Sequence, residues 1–485
     1  TFGHNAALAA IVGSPRRLDT IGGTVGWRVF GLLIILGAVW GMMAATRALR
    51  REEDAGRWEL LLAGATARGR AAAQALAGLA AGWFVLWAVT VAFTVAAGLS
   101  PRVGFSVSES IYYATAVCAS AAIFLAIGAV CSQMAGTRRQ ANGCAAAAFA
   151  VAFLVRMAAD SVSGLGWMRW MSPLGWVENM RPLTGTQPLA LVPIALLVGA
   201  AATLTVWLAG RRDAGSAVLA PRRSPRAEMR LLGSPLRFAI RLERWVVLAW
   251  IGGIALLALI FGVVARSAAT ASAELNESLV RQVGRLGGHH GGAAAAWVGY
   301  EFIYVAALVA FAAAGQIAAM RGEEADGQLE NLLARGLGRR AWLAGRLGVG
   351  LALVLACGIA AGLAGWAGLA GSASGVGLAA MMQADLNPVA LAVFVLGLGT
   401  LLYGLLPRLA APILYGVILW SFLVEAVGSS FTSSHLLLDT ALLSHLGPVP
   451  AAALNWGAIA WLGGAGVLAA LAGSVAFGRR DLAGA

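Results

Sequence analysis

The chain has 485 residues, of which 60% are hydrophobic and 12% are charged, and its formal net charge is +13. Soluble globular domains carry about 25% charged residues, so this composition excludes a soluble globular protein and indicates an integral membrane protein. The basic residues are all Arg and lie mainly between apolar runs. The enrichment of basic residues in cytoplasmic loops therefore explains the charge, and no nucleic-acid partner is expected.

Residues 1–24 form a polar, glycine-containing opening stretch. It is followed by apolar runs whose lengths are near the roughly 20 residues that a membrane-spanning helix needs. In the first half of the chain they are residues 25–46, 71–99, 111–134, 141–159 and 189–209. In the second half they are residues 245–265, 296–320, 341–370, 387–406, 411–427 and 457–477. The sequence therefore predicts an all-α polytopic membrane protein with eleven spans.

A charged segment with a central glycine occurs twice, at residues 47–70 and 321–339; we call these the first and second repeated segments. Glu52 aligns with Glu323 at an offset of 323 − 52 = 271. The same offset aligns the pairs Glu53 and Glu324, Gly56 and Gly327, Glu59 and Glu330. Long internal repeats determine architecture, so we predict two parallel six-span halves. The predicted domains are 1–213, a cytoplasmic linker and elbow at 214–244, and 245–485.

The first half contains one apolar run fewer than the second. Its opening residues 1–24 match, at the same offset of 271, the loop that follows the first span of the second half. We therefore expect that one further span precedes Thr1.

Orientation follows from the distribution of Arg. When both repeated segments are placed in the cytosol, most of the 35 Arg fall on the same side, as the positive-inside rule requires. The C-terminus is then cytosolic as well.

The outer loop at residues 164–182 is rich in Trp, Pro and Gly. It is too short and too broken to cross a bilayer, and we predict a re-entrant hairpin; a simple aromatic belt at the interface would explain the same residues. The residues of interest are Trp167, Trp170, Ser172, Pro173 and Trp176.

Catalytic and cofactor signals are missing from the sequence. It has no Lys, so it has no Gly-rich phosphate loop ending in Lys and Ser or Thr. The four Cys lie at irregular spacing in apolar runs, which argues against a metal site. We predict no catalytic residue, no metal and no cofactor in this chain.

Each repeated segment combines acidic residues, a glycine and an apolar Leu pair. Acidic residues suit the N-terminus of a helix and the Leu pair supplies an apolar face, so we predict a short amphipathic helix on the cytosolic surface. Glu53 and Glu324 are expected to face the cytosol without contacting the core. A solvated loop that only sets orientation would also explain the charges.

Two motifs resemble those of a known family: R-x-E-E-x-x-G-R-x-E-L-L from Arg50 to Leu61, and W-x-S-P-L-G-W from Trp170 to Trp176. They resemble the permease subunits of type-two ABC exporters, and within these the fused twelve-span group of tetronasin, polyketide-antibiotic and multidrug exporters of actinobacteria. The resemblance covers essentially the whole chain. It implies export of hydrophobic drugs or antibiotics across the cytoplasmic membrane.

The resemblance also implies partners. The repeated segments would be coupling helices that dock on two copies of a separate ATPase subunit, which would bind Mg-ATP. Gln328 and Asn331 replace Arg57 and Leu60 in the second copy, so equal coupling by both halves is not implied. The implied contact residues are Glu52, Glu53, Gly56, Arg57, Glu59, Glu323, Glu324, Gly327 and Glu330.

Charged residues inside apolar runs are costly and are candidates for function. They are Arg28, Arg156, Glu301 and Glu425. Arg156 and Glu425 nearly correspond in the repeat, 425 − 156 = 269, and we expect that they pair between the halves unless each separately reaches the outer interface. The alternative function, a proton-coupled drug transporter, needs mid-membrane carboxylates, and the apolar runs carry them only near their ends.

Overall fold

The computed structural model describes residues 17, 20, 22–23, 26, 29–54, 56–64, 66–100, 103–161, 164–211, 235–272, 293–371, 375–425 and 439–481. Within these ranges every regular element is helical. Ten of the described helices are long and apolar enough to cross a membrane. The prediction of an all-α polytopic membrane protein is therefore confirmed.

The chain divides into two compact units, Thr1–Arg226 and Ala227–Ala485. In the first unit, helix α1 (Phe30–Thr46) continues through a π-helical turn (Arg47–Arg51) into Glu52–Asp54. The helices that follow are α2 (Arg57–Leu62), α3 (Arg68–Gly98), α4 (Val107–Met134), α5 (Arg138–Ser161), α6 (Pro173–Asn179) and α7 (Leu191–Arg211). Short 3-10 helices precede α6 (Gly166–Met171) and α7 (Pro188–Ala190).

The second unit begins with a long helix and contains eight elements in all within the described ranges. Its helices are α8 (Pro235–Ser272), α9 (Ala293–Ala325), α10 (Gln328–Ala334), α11 (Arg339–Leu369), α12 (Leu378–Leu405), α13 (Ala410–Leu423) and α14 (Trp456–Arg479). A 3-10 turn (Leu443–His445) lies before α14.

Helix bounds recur between the units at the offset seen in the sequence. For α3 and α11 the differences are 339 − 68 = 271 and 369 − 98 = 271. For α4 and α12 they are 378 − 107 = 271 and 405 − 134 = 271. These two pairs of long helices thus have equal lengths and follow in the same order in the two units. The parallel six-span arrangement, the three predicted domains and the span before Thr1 stay predictions.

Three sequence-based boundaries differ from the structure. Within the described residues helix α13 has 14 residues, fewer than a spanning helix needs, while the end of the predicted run 411–427 lies outside the described residues. Helix α12 begins at Leu378 rather than at residue 387, because Asp385, which interrupts the apolar run in the sequence, is buried inside the helix. Helix α8 begins at Pro235, inside the predicted linker.

Close contacts at glycines hold the long helices together. A methyl group placed on Gly41 of α1 would lie 2.2 Å from the carbonyl oxygen of Ala121 on α4. The same placement on Gly262 of α8 would lie 2.2 Å from the carbonyl oxygen of Gly365 on α11. Small residues permit such backbone contact between membrane helices, which explains the abundance of Gly.

Candidate functional site

Both repeated segments turn at a glycine with the same backbone conformation. Gly56 has φ 72° and ψ 0°, and Gly327 has φ 69° and ψ 5°. This left-handed conformation costs an L-amino acid about 1–2 kcal/mol and is open to glycine. Each glycine ends a long helix and starts a short one, α2 or α10, so the local geometry requires glycine in both copies.

The acidic pairs lie before the turn, not after it. Glu52 and Glu53 end the extension of α1, and Glu323 and Glu324 lie in the last turn of α9. The acidic pairs therefore do not open α2 or α10. Only Glu59 and Glu330 lie in the first turn of a short helix, where a carboxylate interacts favourably with the helix dipole.

An apolar side chain anchors each short helix. Trp58 of α2 is 8% exposed and Leu329 of α10 is 0% exposed, and the two positions correspond in the repeat, 329 − 58 = 271. The side chains that precede and follow them, Arg57 with Glu59 and Gln328 with Glu330, are exposed. The sequence analysis missed these anchors because it compared polar residues. The signal that could have revealed them is that Trp58 and Leu329 are each an apolar residue between two polar residues, at corresponding positions of the two copies.

In the first repeated segment the buried Arg50 forms ion pairs with two acidic residues, Glu53 and Asp54. Its guanidinium lies 3.2 Å from Glu53 Oε2 and 3.0 Å from Asp54 Oδ1, and it also donates to the carbonyl oxygen of Gly136. Asp54 accepts a hydrogen bond of 2.8 Å from the backbone N–H of Arg138, at the start of α5. The Glu53 side chain is 7% exposed, so the expectation that it faces the cytosol without contacting the core is wrong.

In the second repeated segment Glu324 is 1% exposed, and the same expectation is wrong for it. Its two carboxylate oxygens each accept a 2.7 Å hydrogen bond from the guanidinium of Arg480, after α14. That guanidinium lies 4.9 Å from the ring centroid of Tyr403 and 5.2 Å from that of Phe477. Arg339 donates to the carbonyl oxygen of Arg480 at 2.6 Å. Glu324 therefore joins the repeated segment to the end of the last helix.

A second buried ion network contains Glu323, the acidic residue that precedes Glu324. Arg346 of α11, 2% exposed, lies 3.3 Å from Glu323 Oε1 and donates to Glu243 Oε1 of α8 at 3.0 Å. The amide of Gln316 donates to Glu243 Oε2 at 3.0 Å, and Trp342 donates to Glu323 Oε2 at 3.3 Å. Three helices of the second unit thus meet around one guanidinium. Sequence reasoning missed Glu243 because it lies in the predicted linker.

Carboxylate partners raise the pKa of two guanidinium groups of this region, those of Arg57 and Arg480. Hydrogen bonding to Glu52 raises the pKa of Arg57. Burial by itself lowers the pKa of Arg480, but the hydrogen bonds and the charge of Glu324 outweigh burial and raise it. Both groups therefore remain cationic.

The segment at residues 164–182 contains two short helices, Gly166–Met171 and α6. Ser172 is 0% exposed, accepts from the backbone N–H of Gly175 and donates to the carbonyl oxygen of Ala152 at 2.6 Å. Pro173 is the first residue of α6. Trp176 Nε1 donates to the carbonyl oxygen of Trp170 at 2.6 Å. Trp167 and Trp170 are 61% and 46% exposed; their entry into a membrane stays a prediction.

The charges predicted inside the spans lie in different surroundings. Arg156 is 3% exposed and lies 3.6 Å from Asp160 Oδ2 and 3.6 Å from Glu178 Oε2, both in its own unit. The ion pair with Glu178 holds α6 against α5. Glu301 is buried in α9 and Glu425 is half-buried. The pair of Arg156 with Glu425 stays a prediction, and Arg28 lies outside the described residues.

We expect any side chain at the two glycine turns to be destabilising because of the left-handed backbone. Replacing Gly327 with Ala should lower the stability of the folded protein by about 1 kcal/mol, because nothing lies within 4 Å of the added methyl group and only the left-handed backbone is penalised. Gly322, in the regular part of α9 and also without a neighbour within 4 Å, is the matched control. Gly322→Ala should be neutral or stabilising. Thermal unfolding of the purified protein measures both, and an equal effect of the two changes would contradict the argument.

Comparison with known proteins places the chain in a family. A family model described as "Multidrug efflux system permease Rv1217c, C-terminal domain" matches residues 1–210 and 232–478. The multidrug efflux system permease protein Rv1217c of Mycobacterium tuberculosis (strain ATCC 25618 / H37Rv) is 29% identical over 500 aligned residues, which cover 98% of this chain and 87% of that protein. Since the family model matches most of the chain and the described helices suit a multi-pass membrane protein, this chain belongs to the family of multidrug efflux system permeases.

Proposed function

We propose that this chain is the permease subunit of an ATP-driven ABC exporter of hydrophobic drugs or antibiotics in the bacterial cytoplasmic membrane. It has no catalytic role of its own in this proposal. Mg-ATP is bound and hydrolysed by a separate ATPase, two copies of which dock on the two repeated segments. Both repeated segments and the C-terminus lie in the cytosol, the substrate is a lipophilic small molecule in contact with membrane lipid, and no nucleic acid is involved.

One observation carries this proposal: the same turn geometry occurs twice. In each copy a long helix ends at a left-handed glycine, a buried apolar residue anchors the short helix, and a glutamate in its first turn is exposed. A loop that only set orientation would need charge but no such repeated backbone geometry. Two equivalent projecting helices support two equivalent partner subunits.

The ion networks behind the short helices support a mechanical role. Arg50 ties the end of α1 to the start of α5, and Arg346 ties the end of α9 to α8 and α11. Because buried charge pairs are short and directional, a displacement of α2 or α10 by a partner is transmitted to long helices. ATP-driven movement of the ATPase subunits would in this way reach the membrane part of each unit.

The exposed glutamates test the proposal. Reversing charge in Glu59→Arg or Glu330→Arg should leave the fold intact, since both side chains are exposed, and should reduce drug-stimulated ATP hydrolysis by the reconstituted complex about tenfold. The first change should be the more severe, because only the first copy keeps Arg57 and Leu60. Drug-stimulated ATPase activity and efflux are measured after reconstitution with the ATPase.

Asp439→Arg provides the control for this experiment. Asp439 is exposed and lies between α13 and α14, in a segment that the proposed orientation places outside, so the same charge reversal should leave ATP turnover unchanged. Wild-type activity of the Glu59→Arg/Glu330→Arg double variant would contradict docking. Drug efflux by this chain alone, driven by a proton gradient, would instead establish a secondary transporter.

A further inference from the structure

Four arginines lie together where the repeated segment of the first unit meets the start of α5. Arg47 and Arg51 are the first and last residues of the π-helical turn, and both are exposed. Arg138 and Arg139 are the first two residues of α5; Arg139 is exposed and Arg138 is partly exposed. We call these four residues the basic cluster.

Backbone contacts and hydrogen bonds join the two places. Cα atoms of the π-helical turn come within 8 Å of Cα atoms of α5. Arg50, which precedes Arg51, donates to the carbonyl oxygen of Gly136. Asp54 accepts a 2.8 Å hydrogen bond from the backbone N–H of Arg138. The four arginines of the basic cluster therefore belong to one fixed junction of the first unit and not to separate loops.

No carboxylate neutralises the basic cluster. Within the described part of the chain, none of its four guanidinium groups forms an ion pair, and the nearby acidic side chains are paired with other arginines. Glu53 and Asp54 pair with Arg50. Glu52 pairs with Arg57. Four like charges at one junction repel one another, so the basic cluster favours an anion that the chain itself does not supply.

The second unit lacks this cluster, although its repeated segment is predicted to lie on the same side of the membrane. At the repeat offset, 318 − 47, 322 − 51, 409 − 138 and 410 − 139 all equal 271, and the four positions hold uncharged residues: Ala318, Gly322, Leu409 and Ala410. One arginine, Arg408, lies beside the last two. The positive-inside rule applies to the loops of both units, so by itself it does not account for four arginines against one.

The basic cluster lies at the ends of two helices that are long and apolar enough to cross a membrane. The π-helical turn follows the 17 residues of α1, and the other two arginines begin α5. Basic residues at the end of an apolar span lie at the level of the lipid head groups. Nε of Arg138 is also shielded from solvent and has no hydrogen-bond partner among the described residues. The junction therefore offers donors to a phosphate at that level.

We propose that the basic cluster binds the head group of an anionic phospholipid with two phosphate groups, such as cardiolipin. Guanidinium groups bind phosphate through two parallel hydrogen bonds, and clusters of roughly four to eight basic residues at the cytoplasmic end of a membrane helix bind anionic lipids. Four guanidinium groups match two phosphates, whereas a zwitterionic head group brings a cation that they repel. The inference goes beyond the proposed function and takes from it only the cytosolic placement of the repeated segments.

Lipid binding to the purified full chain in detergent, followed by native mass spectrometry, tests this site. Wild type should bind cardiolipin about tenfold or more tightly than phosphatidylcholine, and added salt should weaken cardiolipin binding. Arg47→Gln/Arg51→Gln should weaken cardiolipin binding about tenfold or more. Both side chains are exposed, so the variant should fold, and its binding of phosphatidylcholine should stay within about twofold of wild type.

Arg335→Gln/Arg340→Gln is the matched control, because it removes two exposed arginines at and just after the second repeated segment. It should leave the affinity for cardiolipin within about twofold of wild type. Inorganic pyrophosphate has two phosphates but no acyl chains, and at equal concentration it should not displace the lipid.

Equal affinity of wild type for the two lipids, an equal loss in the control variant, or displacement by pyrophosphate would overturn the site. Displacement of cardiolipin by the purified ATPase subunit would also overturn it and would assign the basic cluster to that partner. Drug-stimulated ATP hydrolysis is measured separately, so the exporter proposal can stand if this inference fails.

Discussion

Replacing Arg346 with Met is expected to lower the free energy of unfolding by about 3–5 kcal/mol, which is the cost of leaving buried charges without their partner. Arg346 is 2% exposed and lies between the carboxylates of Glu243 and Glu323 at 3.0 and 3.3 Å. Without it two acidic groups remain close together in a buried place. A loss of this size approaches the total stability of many proteins, so most of the variant should fail to reach the folded state.

Arg340 gives the matched control, because it lies on the same helix and is exposed. Arg340→Met should unfold within about 0.5 kcal/mol of wild type. Neutralising the acids together, in Arg346→Met/Glu243→Gln/Glu323→Gln, should recover most of the folded protein, since no buried charge is then left uncompensated. The yield of monodisperse protein and its thermal unfolding midpoint measure all three. A triple variant as unstable as Arg346→Met would mean that the guanidinium acts through packing alone.

The long helices could be predicted from the sequence because length and hydropathy determine them. An apolar run of about 20 residues must satisfy its backbone hydrogen bonds internally in a membrane, and ten of the eleven predicted runs coincide with described helices that are long and apolar enough to cross one. One run was predicted too short where a charge interrupted it. Asp385 lies inside α12, since neighbouring helices bury a side chain that hydropathy alone would place in a loop.

The repeated segments could be located from the sequence, but the surroundings of their acidic residues could not. Identity at an offset of 271 shows that Glu53 and Glu324 recur, yet it does not show which Arg approaches them. Their partners differ: Arg50, three residues earlier, in the first unit, and Arg480, 156 residues later, in the second. Burial by a residue distant in the chain is a tertiary property. Counting local charge therefore does not show that Glu53 and Glu324 are buried in ion pairs; their role in docking stays a prediction.

Replacing Glu324 with Gln is expected to cost about 2–5 kcal/mol, the usual loss when one member of a buried, hydrogen-bonded charge pair is truncated. Two 2.7 Å hydrogen bonds join Glu324 to the guanidinium of Arg480, and that fork holds α9, just before the Gly327 turn, against the end of α14. The amide can accept only one of the two bonds. The short helix α10 should lose its fixed direction, so coupling to ATP hydrolysis should weaken together with stability.

Glu330→Gln is the matched control for this change, because Glu330 lies six residues further on and is exposed. It should leave the thermal unfolding midpoint unchanged. Exchanging the charges in Glu324→Arg/Arg480→Glu should restore part of the stability that either single reversal removes, with a coupling energy of about 0.5–3 kcal/mol between the two positions. A double-mutant cycle with additive effects would show that the two side chains act independently. In that case the direction of α10 would depend on the anchor Leu329, which is 0% exposed, rather than on the ion pair.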